Sequence, residues 1–149
     1  MKLHEHMPEL YGATTWLNGR CDREDLIGVK PTLIHFWSIS CRACKEKMPY
    51  LTSFQNRYKD RLNMIAVHMP RSEEDRDLQQ IKKVAAQHGM TQSIFVDDNL
   101  TLTEAFGNQF VPAYYVFDKE GRLRHFQTDQ SGMNMLKKRI DRLLNEMKR

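Results

Sequence analysis

The sequence predicts an α/β fold in which a mixed β-sheet is covered by helices on both faces. Three observations carry that expectation. Short runs rich in branched and aromatic residues, PTLIHFW at 31–37, NMIAVHM at 63–69, SIFV at 93–96 and AYYVF at 113–117, are too brief for helices and read as buried strands. Between them, apolar residues recur at three- and four-residue spacing, the pattern of amphipathic helices. The fourth run leads through DKEG into RLRHFQ, which makes a hairpin.

Each element follows from its residues. After the first strand, Cys44, Met48, Leu51, Phe54 and Tyr58 lay one apolar stripe on a helix from about Arg42 to Arg61. Pro49 should kink it, because proline removes a backbone donor and crowds the preceding turn. After the second strand, Ser72 is expected to cap a helix whose first turn, SEEDRD, is acidic and whose buried face is Leu78, Ile81, Val84 and Ala85. Gly89 should end that helix. LTEAF reads as a short helix, and after Ser131 the stripe Met133, Leu136, Ile140, Leu143 and Met147 marks the closing one.

The chain of 149 residues suits one domain, 1–149, with a core large enough to fold without staples. No linker-like or repetitive stretch interrupts it, so disorder is not expected except at the two ends, and His4 and His6 read as part of an N-terminal tail. Its net charge of +4 is modest, and the densest basic cluster, Lys137, Lys138, Arg139 and Arg142, falls on a helix with its own apolar stripe. That reads as a solvated face, with no nucleic-acid partner expected. There is no signal-peptide core and no long apolar run, so the expectation is a soluble cytoplasmic monomer without membrane contact. Three cysteines, only two of them close together, do not suggest a secreted disulfide framework.

Those two are Cys41 and Cys44. In a helix starting near Arg42, the Cys41 sulfur faces unsatisfied backbone N–H groups and the positive end of the helix dipole. Arg42, Lys45 and Lys47 add positive charge, so Cys41 is the thiol expected to ionise and attack, with Cys44 resolving the mixed disulfide. Zinc would need further ligands, and only Cys21 and scattered histidines remain. A peroxide-reducing cysteine would find a hydroxyl at Ser38, but Ile34 stands where that motif has proline. A purely structural pair stays open on the residues alone. Cys21 reads as a free thiol.

Taken together, HFWSISCRACKEKMP, with proline five residues after the second cysteine, resembles the active-site segment of the thioredoxin superfamily, and FVPAYYVFDKEG resembles its cis-proline segment. MPELYGATTWLNG and NMIAVHMPRSEEDRDLQQIKKVAAQHG resemble the N-terminal extension and central strand-helix insertion of the TlpA/ResA branch. The resemblance implies a thioredoxin fold, a redox couple at Cys41 and Cys44, and a cis bond at Pro112. It also implies a substrate-binding edge at Val111 and Pro112, to which Ser40 and Trp37 contribute. For deprotonation of Cys44 it points to His35, where thioredoxin has aspartate, or to Glu73 or Glu74 after the second strand. Two departures stand out: Ser40 replaces the usual tryptophan before the first cysteine, and Arg42-Ala43 replaces Gly-Pro.

The function expected is reduction of protein or small-molecule disulfides, with an unidentified electron donor and no cofactor or metal. The alternatives are a disulfide oxidant or isomerase, and a non-catalytic binding module that holds a partner strand beside Val111 and Pro112.

Overall fold

The computed structural model describes residues 1–148. Six strands form one sheet: β1 (Thr15–Leu17), β2 (Thr32–Trp37), β3 (Asn63–His68), β4 (Ser93–Val96), β5 (Ala113–Phe117) and β6 (Leu123–Thr128). Their spatial order is β1-β4-β3-β2-β5-β6. β2, β3 and β4 run parallel, while β1, β5 and β6 pair antiparallel with their neighbours. The sheet is therefore mixed, as its alternation of strands and helices predicts.

All six residues of β2 are buried, because this strand lies in the middle of the sheet with both faces covered. Side-chain parity divides it. Leu33 and Trp37 join the core cluster under α2 (Arg42–Tyr58), α3 (Leu78–Gln87) and α5 (Met133–Glu146). Ile34 and Phe36 join the opposite cluster, with Leu26 of α1 (Arg23–Leu26), Leu102 and Phe106 of α4 (Thr101–Phe106), and the N-terminal segment. His35 shares the parity of Leu33 and Trp37, so its ring enters the cluster that holds the two cysteines.

α2 buries Cys44, Met48, Leu51, Phe54 and Tyr58, the stripe expected from spacing. It continues through Pro49 and ends at Tyr58, a turn sooner than Arg61. Gly89, at φ 66°, closes the turn after α3 in the left-handed region that glycine enters freely.

Two expectations need correction. The segment after Ser72 is not one helix: a 3-10 turn, Glu73–Arg76, precedes α3, whose cap is Asp77 accepting from the backbone of Gln79 and Gln80 at 3.1 and 3.3 Å. The acidic run divides because Asp75 turns inward to satisfy other donors, while Asp77 sits where the orphan amides of α3 need a carboxylate. Nor is the N-terminus a loose tail. Its ammonium donates to the Phe106 carbonyl at 3.1 Å, Met7 and Leu10 are buried, and β1 forms the sheet edge.

Candidate active site

Cys41 is the N-cap residue of α2. Its Sγ accepts a hydrogen bond from the Cys44 backbone amide at 3.0 Å, which satisfies one of the orphan donors of the helix start. The same amide is aimed at the charge a Cys41 thiolate would carry. Cys41 and Cys44 form a disulfide with Cα atoms 5.3 Å apart, and both are almost fully buried.

The loop that delivers Cys41 is held from the C-terminal end of β3 and the segment beyond it. The Ser38 hydroxyl donates to the Met69 carbonyl, and the Ile39 amide donates to Nε2 of His68 at 3.1 Å. The Ser40 hydroxyl donates to Asp75 at 2.8 Å. Three consecutive residues before the disulfide thus each make a bond to one neighbouring segment, which leaves the loop little freedom to shift.

Val111 packs against both core clusters, one of which contains Cys41 and Cys44. The bond between Val111 and Pro112 is cis. Trp37 has no exposed surface, so it lies inside the core and not on the substrate face. Its ring meets that of His68 edge-on at 4.9 Å between centroids. Trp37 Nε1 and His68 Nδ1 are buried without a hydrogen-bond partner among the described residues.

His35 is buried, and its Nε2 accepts from the side-chain amide of Gln92 at 2.9 Å. Gln55 in turn donates to the Gln92 oxygen at 3.0 Å, and the exposed Thr91 hydroxyl donates to Gln55 at 3.3 Å. Burial disfavours the imidazolium and pulls the His35 pKa down to about 3. Burial likewise lowers His68 to about 4, although the Asp75 carboxylate acts in the other direction. Both rings are neutral at physiological pH.

Glu73 and Glu74 stand exposed in the 3-10 turn, Glu73 paired with Arg76 at 3.2 Å. The carboxylate that reaches the loop before Cys41 is instead Asp75, which sequence reasoning passed over. Its only signal was its place in an acidic run where one member in three or four faces inward. No cluster of three or more His, Cys, Asp or Glu side chains able to hold a metal occurs among the described residues.

The redoxin family matches residues 21–144. The chain belongs to the redoxin family. It is 62% identical over 146 residues to the thiol-disulfide oxidoreductase YkuV of Bacillus subtilis (strain 168), covering 98% of this chain and 99% of that protein. A solution structure of a thioredoxin-like protein in the oxidized form superposes with a TM-score of 0.91 at 62% identity, over 98% of this chain and 99% of the other. Protein DipZ of Mycobacterium tuberculosis (strain CDC 1551 / Oshkosh) is 32% identical over 95% of this chain, which spans 21% of DipZ. This redoxin is thus a thioredoxin-fold homologue of a thiol-disulfide oxidoreductase, and its Cys-x-x-Cys pair is intact.

Proposed function

We propose that this redoxin reduces disulfides of proteins or small molecules by thiol-disulfide exchange at Cys41 and Cys44. The observation that carries the reading is Cys41 at the cap of α2, its sulfur accepting the Cys44 amide. In the reduced protein, the Cys41 thiolate attacks one sulfur of the substrate disulfide; a Cys41–substrate bond forms and the first substrate thiolate leaves. Cys44 then loses its proton and attacks Cys41 Sγ. The mixed disulfide breaks, the second substrate thiolate leaves, and Cys41–Cys44 is restored. Two electrons pass to the substrate, whose two sulfurs end as thiols, and an external dithiol or equivalent donor resets the pair.

Val111 and Pro112 form the edge on which an extended substrate strand lies, and the exposed Ser40 borders the disulfide from the preceding loop. Serine there gives a smaller and more polar surface than an aromatic ring would. His35 lies as a neutral imidazole on the same sheet face as Cys44 and acts there as a positioning group, its own ring fixed by Gln92. With Nε2 occupied by Gln92 the neutral ring carries its hydrogen on Nδ1, and with a pKa held near 3 it stores no proton, so the proton of Cys44 ends on the departing substrate thiolate. Glu73 and Glu74 belong to the surface and lie outside this step.

Reduction is the favoured direction in a reducing compartment, and the unpaired Cys21 suits a protein that works in the cytoplasm. No helix among the described residues is long and apolar enough to cross a membrane. The unit acts as a monomer.

Insulin reduction by dithiothreitol tests the reading. Cys41→Ser should lose all acceleration, and Cys44→Ser should accumulate a substrate adduct at Cys41 detectable by mass. No acceleration by either the unaltered protein or Cys41→Ser would point to a binding module. A reduction potential near about −270 mV fits the reductant, whereas one near about −120 mV would make the protein an oxidant.

A further inference from the structure

The segment between β3 and α3 touches the residue just before Cys41 through charged groups that thiol-disulfide exchange does not itself require. The Arg71 guanidinium donates to Ser40 Oγ from Nε at 3.2 Å and from Nη2 at 3.0 Å. The Ser40 hydroxyl gives its one proton to Asp75 Oδ2 at 2.8 Å, and the same oxygen accepts the Arg71 backbone amide at 2.8 Å. A hydroxyl has one proton and two lone pairs, so Ser40 is saturated by this arrangement.

Asp75 is only 2% exposed. A carboxylate withdrawn from water is costly unless it is hydrogen-bonded, and one of its two donors belongs to the loop before Cys41. Arg71, by contrast, is exposed at that rim. Two opposite charges are therefore fixed through one serine oxygen next to the disulfide.

We propose that Arg71 and Asp75 are positioning residues through which the insertion sets the ionisation of Cys41: Arg71 favours the thiolate, Asp75 opposes it, and Ser40 holds both in place.

The other charged or titratable groups around Cys41 come from each neighbouring element. α2 supplies Arg42, which is paired with Glu46 at 3.1 Å, together with Lys45 and Lys47; Asp129, after β6, lies 4.0 Å from Lys47. His35 and His68, from β2 and β3, are neutral, and β5 adds the buried Tyr114. Arg42 is exposed, where water and salt weaken it, while Lys45 and Lys47 are half-buried and Lys47 faces Asp129. Arg71 and Asp75 differ in being tied to residue 40.

The proposal rests on Cys41 as the attacking thiol, and its test can fail separately from that reading. Thiolate absorbance is followed against pH in the reduced Cys44→Ser protein with Cys21, whose pKa burial, Asp25 and Asp22 push up to about 11, replaced by serine, so that Cys41 is the one thiol left to titrate. Arg71→Gln should lower the thiolate fraction about threefold at a pH below the Cys41 midpoint. Asp75→Asn keeps an oxygen for both donors and should raise that fraction about threefold, while the double variant returns near the parent value. Shifts of the same sign in both single variants, or no shift, overturn the proposal.

In a Ser40→Ala background the Arg71→Gln effect should shrink; an undiminished effect overturns the brace. Should Asp75→Asn fail to fold, Arg71→Gln with and without Ser40→Ala decides by the same criteria. If Cys41→Ser retains insulin reduction while the opposed shifts are seen, the reading of Cys41 as nucleophile fails and the charge pair stands.

Discussion

Acid should weaken this fold through two buried histidines. The pKa of His35 is lowered to about 3 and that of His68 to about 4, whereas in the unfolded chain both titrate near about 6.5. Below that value the unfolded state binds protons that the folded state refuses, so stability falls as pH falls. Stability from keeping these rings neutral is complete above about pH 6.5 and is lost through the window down to the folded values. Between pH 7.5 and 5.0 each histidine contributes a loss of about 2 kcal/mol, since roughly 1.5 units lie below the unfolded pKa at 1.36 kcal/mol per unit. Together the loss is roughly 4 kcal/mol, a large part of the stability of an ordinary domain.

The assay is guanidinium unfolding of the oxidised protein at the two pH values, with His35→Gln, His68→Gln and the double variant. Glutamine offers an acceptor near the position of Nε2, which receives Gln92 in one case and the Ile39 amide in the other. Carboxylate titrations are common to all four proteins and cancel in the comparison. The double variant should lose most of the acid-dependent destabilisation even where its stability at pH 7.5 is lower. A pH dependence equal to that of the parent protein would refute the reasoning.

Three further outcomes follow from individual sites. Cys21 is half-buried, and burial with Asp25 and Asp22 raises its pKa to about 11, so iodoacetamide at pH 7.5 should label it slowly in the oxidised native protein and quickly in urea. Equal rates would show that the thiol is free of both influences. Phe106→Ala removes a fully buried ring with centroids 5.1 Å from Phe36 and 4.9 Å from Tyr115, and should cost about 3–5 kcal/mol in denaturant unfolding. It lies in the cluster away from the disulfide, so insulin reduction under folding conditions should persist. Gly12→Ala meets both a φ of +93° and Thr101 Cβ at 2.8 Å, and should destabilise by more than about 1 kcal/mol; an unchanged unfolding midpoint counts against a fixed N-terminal segment.

The fold was legible where burial is one-sided or complete. The four apolar runs became β2 to β5 because a strand buried on both faces must be apolar along its length, and the α2 and α5 stripes were legible because each helix has one solvated side. β1 was not legible: Thr-Trp-Leu is three residues long, half-buried throughout, and is a strand only because β4 offers an unpaired edge. The N-terminal segment was misjudged for a related reason. Its order comes from contacts far along the chain, such as the Met1 ammonium on Phe106 and Met7 beside the opposite core, and no local pattern records them.

The site divides in the same way. Cys41 and Cys44 are legible because their spacing and the helix start are both local, and the unequal placement of the two sulfurs follows from helix geometry alone. Asp75 is not, because what selects it from Glu73, Glu74, Asp75 and Asp77 is which carboxylate finds donors on another segment. Glu73 finds Arg76 and stays outside; Asp77 finds the amides of α3 and becomes its cap. Asp75 finds Ser40 and the Arg71 amide, and only that arrangement leaves the carboxylate satisfied away from water. Ser40 thereby changes meaning. By sequence it is the loss of an aromatic platform before the nucleophile, whereas in the structure its hydroxyl is the junction where the insertion meets the redox loop. A tryptophan at that position would supply apolar surface, but its single N–H could not both donate to Asp75 and accept from Arg71, so the polar rim and the missing aromatic are one choice.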